Sequence, residues 1–385
     1  MKKCIKCDHV DGLKRAGFIR GKQRYYCRHC AIHFVYPDSE AKTKKNTHAT
    51  IQDVAKYLGV SISTVSRALN DKTDINLETK KAILEAAKEL DYHPNLLAKS
   101  LHDGKTNIIG VILPDVVHPF FARVLAGIQN IASKSQYNII VCHSDEKNET
   151  EIKNIENLIS FKVDGILMSH TKNMIDSNHV KNAIKKGIPV VQFDRVFDEL
   201  DIPKVVSQDV KGSFDLVEHL LNQGCRKIAI MLGPKDLDIS NQRLKGYLAA
   251  LQHFGMEINP EYIVYSDISE NDSKEAFNYF INLENPPDAI FTVFYSHSIE
   301  MMSIAKSAGI KIPEALAFVS YGDDSLVEFF EPSLTVFNQF PISMGETSMN
   351  ILLDIIKFKT ELSAKTHVLD GKLIIRNSSL RKSSN

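Results

Sequence analysis

The sequence predicts an α/β protein: a two-lobed body of parallel sheets, preceded by an all-α helix-turn-helix domain and a small β ribbon. Three observations predict it. Apolar runs alternate with amphipathic segments from residue 106 onward, two short helical patterns flank Gly59, and four of the six cysteines fall in the first 30 residues as two C-x2-C pairs. At 385 residues the chain is long for one domain and suits two or three. Its 43% hydrophobic and 24% charged content is that of an ordinary globular protein and excludes global disorder.

The ribbon comes first. Cys4 and Cys7, then Cys27 and Cys30, stand as C-x2-C pairs separated by 19 residues. A two-residue spacer lets one tight turn present both sulfurs to one ion, and four thiolates are what a structural Zn2+ prefers. Residues 17–26 read as a hairpin turning near Arg20-Gly21. About 35 residues bury too little to fold alone, so the metal would supply the folding energy. His9, His29 and His33 lie nearby but are read as surface residues, because the four cysteines already fill the site. Lys22, Arg24 and Arg28 interleave with Phe18, Tyr25 and Tyr26. That pattern suits nucleic acid, and it equally suits a protein-docking or purely structural ribbon with a solvated basic face. The string GFIRGKQRYYCRHC resembles the small zinc ribbon that begins insertion-sequence transposases, a likeness confined to about 35 residues. The expected organisation is a zinc ribbon over 1–36 and a polar linker over 37–48.

The charge is unevenly placed. Lys+Arg and Asp+Glu are 47 each, yet residues 1–48 hold 12 basic against 4 acidic residues, and residues 49–105 hold 8 of each. A basic head on a mildly acidic body points to a polyanionic partner at the N-terminal end. No stretch reaches the roughly 18 apolar residues of a membrane span. The charged start has no apolar region behind it, so a signal peptide is not expected and the chain is expected in the cytoplasm, away from membranes.

Residues 49–93 form the expected helix-turn-helix domain. Ile51, Val54, Ala55 and Leu58 share one face of a short helix; Gly59 suits the turn; Ser61 suits an N-cap; Val65, Ala68 and Leu69 point inward on the next helix. A third helix over 77–90 follows Asn76. The outward residues of the second helix are Ile62, Ser63, Ser66 and Arg67, where a recognition helix meets the major groove. Pattern alone also allows a plain three-helix bundle. The runs ATIQDVAKYLGVSISTVSRALNDK and YHPNLLAKSLHDGKTNIIGVILPD resemble the lactose-repressor (LacI/GalR) family of transcription regulators, and the likeness continues to about residue 380. The resemblance implies a periplasmic-binding-protein-like body over 106–385, a hinge helix over 94–105, a homodimer and a double-stranded, pseudo-palindromic operator. It implies base reading by Ile62, Ser63 and Arg67, backbone contacts by Thr50, Ser61, Thr64 and Asn70, and a hinge helix that includes Asn95, Ala98 and Lys99 and wedges Leu101 into the minor groove. The chemistry of those residues agrees: Arg67 suits a guanine edge, Ile62 a thymine methyl, and an apolar wedge bends DNA.

In the body, strand candidates are 108–113, 138–142, 165–168, 190–193, 204–207, 228–232, 263–265, 289–293 and 317–321, with amphipathic segments at 120–135, 151–161, 212–223, 240–254, 297–308 and 344–357. Ligands of such folds bind at strand C-terminal ends. Phe120 and Phe121, Asp194 and Arg195, Arg243, and Asp323 follow strands or open helices there, and each also has a plain reading as packing, cap or salt bridge. The resemblance implies that Phe120, Phe121, Asp194, Arg243 and the position of Tyr295 line a small-molecule effector cleft between the lobes. The chain departs from the family at four places: Phe294-Tyr295 replaces Asn-Asp, Ser320-Tyr321 replaces Gly-Phe, His118 replaces Asn, and Gln208 replaces Asp. Losing that Asp weakens the expectation of an ordinary sugar and leaves sugar, nucleoside or another metabolite open.

Cys142 and Cys225 read as core thiols. No G-x-S-x-G, P-loop or His-Glu-x-x-His motif occurs, so no enzyme is expected. The C-terminal tail has no long Leu heptad to make a tetramer. The expected function is an effector-controlled repressor. The rivals are a constitutive regulator with a vestigial cleft, a transposition-related DNA-binding protein suggested by the ribbon, and a solute-binding protein, which would need a signal peptide.

Overall fold

The computed structural model describes residues 3–19, 22–36, 49–71, 74–93, 105–174, 176–267, 269, 271–322, 327–358 and 365–381. It divides into two units, residues 1–99 and 100–385. The first unit opens with three antiparallel strands, β1 (Leu13–Ile19), β2 (Lys22–Cys27) and β3 (Ile32–Val35), in that order. A register shift interrupts β1 between Arg15 and Phe18, where Gly17 takes a φ of 82°. Among the described residues this region buries Cys4, Cys27 and Phe34, with Leu13, Tyr25, Ile32 and Tyr36 packed around them.

Three helices follow: α1 (Ile51–Leu58), α2 (Ile62–Leu69) and α3 (Leu77–Glu89). Thr50 and Asp53 cap α1 reciprocally, the Asp53 amide donating to Thr50 Oγ1 and the Thr50 amide to Asp53 Oδ2. Gly59 ends α1 at φ 68°, a left-handed position where glycine carries no steric penalty. Ser61 then accepts from the Thr64 amide to start α2. Val54, Ala55, Val65, Ala68, Ile83 and Ala86 form the shared core.

The second unit is two α/β lobes. In the first lobe lie β4 (Ile108–Leu113), α4 (Pro119–Lys134), β5 (Asn138–His143), α5 (Asn148–Ser160), β6 (Gly165–Met168), α6 (Asn178–Lys185), β7 (Val190–Phe193) and β8 (Lys204–Ser207). The second holds α7 (Asp209–Asn222), β9 (Ile228–Leu232), α8 (Asp238–His253), β10 (Ile263–Tyr265), α9 (Asp272–Ile281), β11 (Ala289–Thr292), α10 (Tyr295–Ser307), β12 (Ala317–Tyr321) and β13 (Thr335–Asn338). The chain then returns α11 (Pro341–Phe358) and β14 (Thr366–Leu369) to the first lobe and β15 (Lys372–Ile374) to the second. It therefore crosses between lobes three times, near 207–209, 339–341 and 369–372.

The sheets run β14-β8-β7-β6-β4-β5 and β10-β9-β11-β12-β13-β15, all parallel except the β13–β15 pair. β6 and β9 are buried along their whole length because helices cover both faces, which explains their unbroken apolar sequences. In each sheet the first strand, β4 or β9, sits between its two successors, so strand order reverses there and opens a crevice at the C-terminal ends. Helices α4 and α11 touch through glycine: a methyl on Gly127 would fall 2.1 Å from Ile342 O, and one on Gly345 2.0 Å from Val124 O. Cys225 is buried and Cys142 half-buried. Among the described residues no helix is long and apolar enough to cross a membrane. Strands β3 and β13–β15 and helices α6 and α9 are additions to the elements expected from sequence.

Candidate functional site

On α2 the side chains sort by exposure. Val65 and Ala68 are buried, whereas Ser61, Ile62, Ser63, Arg67 and Asn70 are exposed and Thr64 and Ser66 half-exposed. Ile62, at 46% exposure, offers an apolar surface to solvent. Arg67 forms an exposed ion pair with Asp74. Two of the polar residues, Ser61 and Asn70, double as helix caps. Ser61 Oγ lies 2.7 Å from Ser63 Oγ and 2.8 Å from Thr64 Oγ1, and Asn70 Nδ2 donates to Ser66 O at 2.9 Å. Asn95, Ala98, Lys99 and Leu101 lie outside the described residues.

Between the body's lobes lies a cavity of about 170 Å3. The end of β4 and the start of α4 bring Phe120 and Phe121 to it; the end of β7 brings Asp194 and Arg195; α8 brings Arg243; the start of α10 brings Tyr295. The structure thus gathers six of the seven sequence-derived cleft residues, and the seventh, Asp323, lies outside the described residues. A second cavity of about 400 Å3 shares Asp194, Arg195, Leu237 and Ile239 with the first and adds Ser207, Gln208 and Asp209.

Aromatic rings cross the cleft. His118 meets Phe121 edge-on at 5.9 Å in the first lobe and Phe294 at 6.0 Å in the second. Its Nδ1 accepts from the Phe120 amide and caps α4, a role that asparagine could equally fill. Burial, with Arg195 nearby, lowers its pKa to about 4, which keeps that acceptor neutral.

Each of the two buried guanidiniums is paired with a carboxylate. Arg195 Nη1 donates to Glu146 Oε1 at 2.8 Å and Oε2 at 3.1 Å. Arg243 donates through Nε to Asp209 Oδ1 at 2.8 Å and through Nη1 to Val293 O at 3.1 Å, and lies 4.1 Å over the Tyr321 ring. Tyr321 in turn donates to Asp209 O at 2.7 Å. This explains one departure from the family: the hydroxyl of Tyr321 serves the hinge crossing, beneath the arginine. Gln208 serves the same region, its Nε2 donating to Asp370 Oδ1 at 2.6 Å.

Among the described residues, Ser207 Oγ in the second cavity has no hydrogen-bond partner, and two further polar groups line the first cavity bare. Gln339 is 5% exposed, and its Nε2 has no partner among the described residues. Asp194, at φ 59°, lines both cavities, and no protein donor reaches its carboxylate among the described residues. Burial pushes its pKa up to about 6 against the pull of Arg195 and Arg243. A buried donor without a partner is costly, and a polar ligand would complete it together with the half-buried Asp194 carboxylate beside it.

Cys4, Cys7, Cys27 and Cys30 come together at the base of the N-terminal sheet, every sulfur within 4.8 Å of the others. Cys4 and Cys30 are 3.5 Å apart, Cys7 and Cys27 3.6 Å. These separations are far beyond a disulfide bond and close to the edge, about 3.8 Å, of a tetrahedron with metal–sulfur bonds near 2.3 Å.

Sequence reading missed Glu146, Asp209 and Gln339. Asp209 had a weak signal, adjacent to the noted Gln208, whereas Glu146 and Gln339 sit beside strands that bring them in only through the tertiary fold.

Comparison with known proteins adds the family. Residues 50–95 match the model of bacterial regulatory proteins of the lacI family. Residues 106–370 match periplasmic binding proteins and the sugar binding domain of the LacI family. Both matches begin beyond the N-terminal sheet. The chain is 32% identical to the ribose operon repressor of Halalkalibacterium halodurans over 327 residues, 85% of this chain and 96% of that one. It is 29% identical to the HTH-type transcriptional repressor CytR of Escherichia coli strain K12 over 335 residues, 87% of this chain and 97% of that one. In fold it is similar to the Lac repressor dimer bound to operator and the anti-inducer ONPF, with a TM-score of 0.78 and 23% identity over 87% of this chain and all of that one. The chain belongs to the LacI family of bacterial regulatory proteins, and it is a transcription regulator, not an enzyme.

Proposed function

We propose that the protein acts in the cytoplasm as a homodimeric repressor whose α2 helices read the two halves of a pseudo-palindromic operator, and that a small molecule in the inter-lobe cleft controls it. The observation that carries the effector reading is the buried, unpartnered Gln339 amide beside the half-buried Asp194 carboxylate, which accepts no hydrogen bond among the described residues, in a ring-walled cavity. Arg195 and Arg243 are each neutralised by a carboxylate, which favours an uncharged ligand with a ring face and hydroxyls, a sugar or a nucleoside, over an anion. Phe120, Phe121 and Tyr295 would take the ring face, Asp194 would accept from hydroxyls, and Gln339 would donate. A ligand that touches both lobes biases the angle about the three crossings, and the segment 94–105, with Asn95, Ala98, Lys99 and Leu101, would pass that bias to the DNA. This is a shift between states whose extent is set by differential affinity.

Support for the DNA reading is the exposed face of Ile62, Ser63, Ser66 and Arg67, with Thr50, Ser61, Thr64 and Asn70 at the helix ends. Support for a zinc ribbon over 1–36, joined by 37–48 to the domain at 49–93, is the four-thiol cluster: the residues fit the ion. Bound Zn2+ would supply folding energy to the sheet and no reactivity, with Cys4, Cys7, Cys27 and Cys30 as its ligands.

The test has two arms. Selection of binding sites from random DNA should enrich a two-fold site, and failure to enrich one would remove the operator reading. Thermal unfolding against sugars, nucleosides and amino acids should show a rise with one chemical class, lost in Gln339→Ala and Asp194→Ala. No rise with any compound would favour a vestigial cleft.

A further inference from the structure

We propose that the outer face of the N-terminal sheet is a second DNA-contacting surface, one that grips duplex phosphates beside the site read by α2. The register of the strands separates two faces. Leu13, Cys27 and Ile32 pair across the sheet on the same side as Arg15, Tyr25 and Phe34. That side carries the buried Phe34 and the thiol cluster, so it is the inner one. Lys14, Tyr26 and His33 align across the opposite side, joined by the Arg24–Val35 pair. Lys14 and His33 are exposed, and Arg24 and Tyr26 half-exposed. The Tyr26 and His33 rings lie 4.7 Å apart. Arg24 Nε donates to Ala16 O at 3.2 Å, which fixes the guanidinium against the sheet. The outer face carries no carboxylate. The only acidic residues in 1–36 are Asp8 and Asp11, which lie outside the three strands.

Charge complementarity selects the occupant. Residues 1–36 hold nine Lys/Arg against two Asp/Glu, whereas residues 49–105, which include the operator-reading helix, hold eight of each. Affinity for a duplex comes largely from cations that displace condensed counterions, and a module with no net charge is poorly supplied for that. The chain places its excess of cations in the N-terminal segment instead, with Lys14 and Arg24 on the outer face of its sheet. Lysine and arginine meet phosphate through charge and hydrogen bonds, and tyrosine can add one through its hydroxyl. The twelve residues of 37–48 can span at most about 40 Å, roughly one turn of duplex, so the contact must fall within about a turn of the half-site.

The experiment uses the full chain loaded with zinc, and two duplexes: the selected two-fold site trimmed to its ends, and the same site with about 20 bp of arbitrary sequence on each side. Affinity is measured from 50 to 300 mM salt, with hydroxyl-radical footprints on the longer duplex. The expected results are tighter binding to the flanked duplex, protected sugars outside the two-fold site, and a steeper salt dependence. In Lys14→Ala and in Arg24→Gln the slope of log K against log salt should shrink by about 1 per lost contact. The flank protection should fade while the protected two-fold site stays. Zinc content of one per chain shows that each variant keeps its sheet. Should Arg24→Gln lose zinc, Lys14→Ala, at an exposed side chain, decides alone. Equal affinity and slope on both duplexes, or zinc-loaded variants that match the parent, would overturn the proposal, and a surface for a protein partner would then be the reading left. Two-fold-site binding persists under either outcome, so the operator reading is tested separately.

Discussion

The N-terminal sheet and the second lobe of the body obtain their order in opposite ways. The sheet has three buried core residues, two of them cysteines, whereas one core cluster of the second lobe alone has 18. At about 25 cal/mol per Å2 of apolar surface, the lobe can hold itself together by burial and the sheet cannot. The comparison teaches where each region is vulnerable: the sheet at the four-thiol cluster proposed to hold zinc, the lobe where a charge lies buried. The largest expected effect follows from the first. A strong chelator, or Cys4→Ser with Cys30→Ser, should unfold the sheet outright, because structural zinc contributes about 10–16 kcal/mol to such small folds. Amide NMR should lose its dispersed signals for residues 3–36 while the body keeps its melting temperature. A dispersed sheet spectrum in metal-free protein would break the contrast.

The lobe's weak point is the Arg243–Asp209 pair, with Arg243 4% and Asp209 8% exposed. Asp209→Asn leaves a buried guanidinium without its counter-charge and should cost about 3–5 kcal/mol in urea unfolding of the body. Adding Arg243→Met to that variant should recover part of the loss, since an apolar replacement of both partners is better tolerated than half a pair. A double variant no more stable than the single one would mean that Arg243 contributes chiefly through the Val293 carbonyl and the Tyr321 ring.

Legibility in the sequence followed the same division. Strands such as Ile108–Leu113 and Ile228–Leu232 announced themselves as unbroken apolar runs, because burial on both faces leaves no other pattern. Thr366–Leu369 and Lys372–Ile374 did not: they lie at sheet edges with alternating or partial burial, and only the returning chain defines their partners. Helix α9, with Asp272 and Lys274 in its first turn, has too short an apolar stripe to stand out. In the cleft, Phe120, Asp194 and Arg243 were legible because they immediately follow strands or open helices at switch points. Glu146 and Gln339 were hidden, since their role depends on a partner 49 residues away in one case and on an empty hydrogen bond in the other. A missing bond leaves no trace in a one-dimensional pattern.

The smallest expected effect sharpens the contrast inside the cleft itself, between carboxylates paired with arginine and one that accepts no hydrogen bond among the described residues. Asp209 and Glu146 face arginines, while Asp194 is held by burial near pKa 6. Its folded-state pKa is raised above the usual 3.8, so its contribution to stability is full below about pH 4 and is lost as pH rises through 6. Ligand binding should run the other way. A hydroxyl donates to the ionised carboxylate, so affinity should be constant above pH 7 and fall about tenfold by pH 5, equivalent to about 1.4 kcal/mol. Isothermal titration of the effector found by thermal shift, between pH 5 and 8, measures this directly. His118, near pKa 4, stays neutral across that window and does not contribute. Asp194→Asn should bind more weakly at pH 8 and lose the pH dependence. A flat profile in the parent protein would mean that Asp194 does not meet the ligand. Affinity that rises toward pH 5 would mean that the ligand accepts a hydrogen bond from the protonated acid, which would replace hydroxyl donors by a carbonyl or ring nitrogen at that position.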